Sequence, residues 1–136
     1  MYIFLMSLMS VGTSWAGRGD KAAVTETLEL WTQATDARDA DAVAALFRPD
    51  AVQAITMGDK AMSLPTDVYV QMIRDGKVGG DDTELDVHAV SVHGALATAL
   101  TTRTTKALTM HTAVVLERDG DRWLVVSATV KAESKP

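Results

Sequence analysis

Cysteine is absent from this chain of 136 residues, so it has no disulfide framework, no thiolate nucleophile and no thiolate metal site. The redox compartment is thereby left open. Positive charge is in short supply: 13 Lys and Arg stand against 18 Asp and Glu, a net charge of −5. The basic residues are scattered rather than gathered on one segment, which argues against a nucleic-acid groove and for a solvated acidic surface. No apolar run reaches the roughly 20 residues of a membrane span. Internal repeats and low-complexity tracts are missing as well. What is present is a hydrophobic fraction of 47%, enough for one core of ordinary size in a chain too short for a second domain.

The first sixteen residues, MYIFLMSLMSVGTSWA, carry no charged side chain and place Ser14 and Ala16 where a signal peptidase reads small residues. They resemble a secretory signal, with the mature chain starting near Gly17 and working outside the cytoplasm, secreted or periplasmic. No Lys or Arg precedes the apolar core, a departure that leaves only the α-amino group as its positive end. Read instead as a helix packed on the body of the domain, residues 1–16 leave the protein cytoplasmic. The domain itself is expected over residues 20–132.

Val24, Leu28, Trp31 and Thr35 recur at helical spacing, with Asp20 placed to cap the first turn, so an amphipathic helix of about four turns is expected. A short second helix follows from Asp39 as cap, with Val43, Leu46 and Phe47 on one face and Pro49 as its stop. Residues 50–57 read as a strand, 58–65 as a turn region, 66–74 as a third helix closed by Gly76, and KVGGDD as a mobile loop. Beyond Glu84 the apolar parity breaks, since Leu85 and Val87 sit out of phase with Val90 and Val92. A one-residue bulge near His88-Ala89 restores a single apolar face. His93-Gly94 turns the chain into residues 96–104, and residues 108–117 pair with 122–131 through Asp119-Gly120, a two-residue turn with positive φ at both positions. The layout is α+β, three helices on one face of a strongly bent, mostly antiparallel sheet.

The stretches LWTQATDARDADAVAALFRPDAV, VSVHGALATALTT and HTAVVLERDGDRWLVVSATV, in this order and spacing, resemble the nuclear transport factor 2-like superfamily, with its cystatin-like α+β cone. With VYVQMIRDG on the third helix, the chain looks most similar to the lumazine-binding and SnoaL-like branch of unassigned function. The resemblance implies a cone around a pocket and, often, a homodimer formed through the sheet face. It also brings isomerases, dehydratases and cyclases into view. Ketosteroid isomerase needs an Asp base and an oxyanion hole of a Tyr and a protonated Asp. The corresponding positions fall on or near Ile55, Trp31 and Thr112. None of these can supply or take a proton, so no catalytic residue is assigned.

His88, His93 and His111 lack the i, i+4 spacing of a zinc site, and no acid stands at a motif distance. The acidic cluster Asp81, Asp82, Glu84 and Asp86 lacks the turn glycine and distal bidentate Glu of a calcium loop and reads as a solvated loop. No metal and no cofactor is expected. Large adaptable side chains are better candidates for a pocket lining. The candidate ligand-binding set is Trp31, Met57, Tyr69, Met72, Arg103, Met110, His111 and Thr112, with Tyr69, Arg103 and His111 at the top and Arg103 or Thr129 as the cross-strand neighbour of His111. Core packing explains the apolar members equally well. The expected function is non-catalytic binding of a small organic molecule in the cone. A dimeric interaction domain with a vestigial pocket and an enzyme with an unrecognised site are the alternatives. No nucleic-acid partner is expected.

Overall fold

The computed structural model describes residues 7–136, with side-chain surroundings from residue 19 onward. The signal-like segment 1–16 therefore lies outside the residues whose side chains are described, and its first six residues lie outside the described residues altogether. Helix α1 spans Ser7–Asp36, α2 Ala40–Ala44 and α3 Thr66–Arg74. Six strands, β1 Phe47–Met57, β2 Lys60–Pro65, β3 Glu84–His93, β4 Leu96–Thr104, β5 Leu108–Asp119 and β6 Arg122–Ser134, form one sheet in the order β2-β1-β6-β5-β4-β3. Among the described residues only β1 and β6 run parallel. The result is the expected α+β architecture, three helices on a curved, unclosed sheet.

Helix α1 continues upstream of the expected start, so Asp20 lies inside it and pairs with Arg118 at 2.9 Å instead of capping a first turn. Val24, Leu28 and Trp31 are buried to 2% exposure or less and anchor the helix on the sheet. The helix ends in a Schellman motif: Asp39 N–H donates to Ala34 O, Arg38 N–H donates to Thr35 O, and Arg38 takes φ +54°. Asp39 then caps α2 by accepting from Ala42 N at 3.1 Å, as its position suggested.

Helix α2 stops at Ala44, earlier than expected. Phe47 and Pro49 belong to β1, and Pro49 falls in the stretch between Phe47 and Val52 where the register with β6 shifts. A residue without an N–H is tolerated at such an irregularity. The stretch read as a turn, residues 58–65, is a hairpin whose second arm is edge strand β2. Its burial pattern, exposed everywhere but Leu64, carries no alternation that the sequence could have announced.

The bulge is where parity placed it: Val87 pairs with Thr101, Ala89 pairs with Leu100, and His88 is the extra residue. The β5–β6 turn is shifted by one position. Asp119 and Arg122 pair as the last rung, leaving Gly120 and Asp121 as the loop, and only Gly120 has positive φ. That is the II′ pattern, with glycine at the first central position. The KVGGDD segment is pinned to the end of α1, since Gly80 N–H donates to Thr35 O at 3.3 Å and Arg38 Nη2 donates to Gly79 O at 3.2 Å.

Candidate functional site

Alternation puts every second sheet residue on the concave face, and the helices close over that face without filling it. A cavity of about 500 Å³ remains. Its walls are mainly apolar, built by Ile55 and Met57 of β1, Met62 and Leu64 of β2, Met72 of α3, Met110 of β5 and Val130 of β6. Lys60, Lys77 and Asp81 are its other charged lining residues besides Arg103.

Arg103 dominates the electrostatics. Its residue exposure is 7%, its Nη2 donates to Thr112 Oγ1 at 3.4 Å, and its Cζ lies 4.6 Å from the centre of the Trp31 ring. Its Nε is buried with no hydrogen-bond partner. Among the described residues no carboxylate forms an ion pair with it. Burial lowers its pKa from the ordinary guanidinium value, opposed by the nearby Tyr69 hydroxyl and Asp36. On the opposite flank, with β6 and β5 between, the Gln53 amide nitrogen is also buried and unpartnered. Tyr69 OH accepts from Trp31 Nε1 at 3.0 Å and lies 3.5 Å from Thr35 Oγ1. Thr35 spends its own proton on Trp31 O at 2.8 Å. The Tyr69 proton is therefore offered weakly to Thr35 or to the cavity.

Of the eight residues singled out from the sequence, Met57, Tyr69, Met72, Arg103 and Met110 line this cavity together. Trp31 is a buried support beneath Arg103, in edge contact with Phe47 at 5.0 Å between ring centres. Thr112 is buried as the partner of Arg103. His111 does not belong to the site. Met110 and Thr112 point inward, so the residue between them points outward, and His111 is exposed. Its cross-strand neighbours are Thr102 and Lys131, not Arg103 or Thr129. With His88 it flanks Thr102 Oγ1, at 2.7 Å from His88 Nε2 and 3.3 Å from His111 Nδ1.

Gln53, Met62 and Leu64 were missed as lining residues. Gln53 had a legible signal, a polar side chain at an inward position of an apolar strand; the β2 residues had none. Ile55, on or near which the resemblance places the isomerase base, lines the cavity. The lining contains no histidine, and its one carboxylate, Asp81, is exposed on the loop before β3. Among the described residues no group of three His, Asp or Glu is arranged to hold a metal ion. Also among them, no helix is long and apolar enough to cross a membrane.

A bent sheet closed by three helices around a half-open apolar cavity is the nuclear transport factor 2-like fold. Residues 19–131 match the family described as "Putative lumazine-binding", and the chain belongs to that family. No curated protein matches the sequence. Similar solved structures include an NTF-2 like protein of unknown function from Silicibacter pomeroyi, 19% identical, with a TM-score of 0.74 over 82% of this chain and 93% of that one. Another, from Shewanella baltica, is 17% identical with a TM-score of 0.73, covering 86% and 94%. A ketosteroid isomerase-like protein from Erwinia carotovora atroseptica is 17% identical with a TM-score of 0.65, covering 83% and 95%. At these identities the likeness concerns the fold.

Proposed function

We propose that the protein binds a small, largely apolar organic molecule in the cone and does no chemistry on it. The observation that carries this reading is the open 500 Å³ cavity with apolar walls and a few buried polar groups, the usual make-up of a ligand site. A vestigial pocket would be filled by side chains. The non-catalytic part is supported by Ile55, an apolar lining residue on or near the position the resemblance gives to an isomerase base. Export to the periplasm or beyond is the reading that residues 1–16 support, with the chain from Gly17 as the working protein. Thermal-shift and native mass spectrometric screening of purified protein against a metabolite panel, with lumazine and related pteridines included because of the family description, is expected to find a stabilising compound. A panel without any stabilising or retained compound would remove the reading.

We also propose that two copies associate through the outer sheet face. Leu100, Ala113, Thr129 and Ala54 are all exposed and stand in register across β4, β5, β6 and β1. A row of apolar and small side chains is what a self-complementary sheet contact needs. Light scattering is expected to give twice the chain mass; a clean monomer at tens of micromolar would refute the dimer.

A further inference from the structure

We propose that the ligand carries a carboxylate that docks on Arg103, so that the cavity selects apolar acids over neutral molecules of the same shape. This deepens the ligand-site reading above and rests on it. A buried charge without a counter-charge is costly and persists only where something offsets it. Within the described part of the protein nothing does so fully. Thr112 takes one long hydrogen bond from Nη2, the Trp31 ring attracts the cation without accepting from its N–H groups, the Tyr69 hydroxyl and Asp36 oppose the effect of burial only in part, and Nε has no acceptor at all. Asp36, whose charge favours the guanidinium, forms no ion pair with it and accepts instead from Thr83 N at 2.9 Å and Thr83 Oγ1 at 2.5 Å.

The remaining groups point the same way. Among the lining residues three cations, Lys60, Lys77 and Arg103, face one carboxylate, Asp81, although the chain as a whole is acidic. A local reversal of sign at a cavity draws anions toward it. Trp31 Nε1 already donates to Tyr69 OH, which leaves the Tyr69 proton as a further donor beside the guanidinium. A flat carboxylate suits these groups, because its two oxygens match the parallel N–H groups of a guanidinium. The unpartnered Gln53 amide across the cavity is a second polar contact for the far end of the molecule.

The test compares decanoate with decan-1-ol and decanamide by isothermal titration on the wild-type chain, Arg103→Met and Arg103→Lys. Decanoate is expected to bind the wild type at least tenfold more tightly than either neutral probe. Arg103→Met should abolish that preference, with decanoate losing at least tenfold in affinity. Arg103→Lys should keep a reduced preference, because it retains the charge and loses the fork. Equal affinity of the wild type for acid and alcohol, or a preference that survives in a folded Arg103→Met protein, would overturn the carboxylate assignment and leave the cavity reading standing. Failure of all three probes to bind the wild type would count against both.

Discussion

Arg103 is buried without an ion pair among the described residues, so its surroundings are expected to cost the unliganded protein stability. The effective penalty for burying an ion is several kcal/mol. The compensation visible here is a cation–π contact worth about 2 kcal/mol when desolvated, one long hydrogen bond to Thr112 of about 1 kcal/mol, and the favourable influence of the Tyr69 hydroxyl and Asp36. Arg103→Met fills a similar volume without the charge, so the ligand-free variant is expected to melt a few degrees above the wild type by calorimetry. The sign with pH follows from the direction of the pKa change. Burial lowers the folded-state value below the unfolded one, so the cost is fully present below the folded value and is relieved only as pH rises through it. Since a guanidinium stays protonated throughout the neutral range, the gain in melting temperature should be the same at pH 6 and pH 8. A variant that melts lower than the wild type would show that the Trp31 and Thr112 contacts outweigh the desolvation. His111 teaches a simpler lesson at this scale. Its chemistry suits a site beside Met110 and Thr112, yet three consecutive strand residues cannot share a face.

At the scale of elements, legibility tracked local physics. Helical spacing found α1 through Val24, Leu28 and Trp31, and parity located the bulge at His88, because both patterns are written by a single buried face. Strand β2 was illegible because an edge strand on the cavity rim buries only Leu64. The start of β1 was misjudged because Pro49 reads as a helix stop, whereas here it sits in an unpaired stretch of strand. The contact that the loop 77–82 makes is invisible in the sequence for a tertiary reason: its glycines touch the end of α1, which no local pattern reports. That contact is testable. A Cβ on Gly79 would stand 2.2 Å from the Thr35 carbonyl oxygen, and the backbone there has φ +94°. Gly79→Ala is therefore expected to cost about 1–3 kcal/mol and to lower the melting temperature by roughly 5–15 °C. An unchanged melting curve would mean the loop is not held against the helix in solution.

The whole molecule presents two chemically separate sheet faces, and the separation follows from alternation. The concave face carries the cavity, and the convex face carries Leu100, Ala113, Thr129 and Ala54, with Leu100 53% exposed. Because the faces share a backbone but no side chains, a change on one should leave the other's function intact. Leu100→Glu places a carboxylate at the β4 end of the apolar row. In a two-fold dimer the same charge appears on both subunits, so both desolvation and self-repulsion oppose association. If the outer face is the dimer contact, sedimentation velocity should show the wild-type dimer replaced by monomer at micromolar concentration, a loss of tenfold or more in association, equivalent to about 1.4 kcal/mol. The same variant should keep its acid-over-alcohol preference, because Leu100 lies on the face opposite Arg103. Persistence of the dimer would place the contact elsewhere on the molecule. Dissociation accompanied by loss of ligand binding would show that the cavity keeps its shape only in the assembled pair.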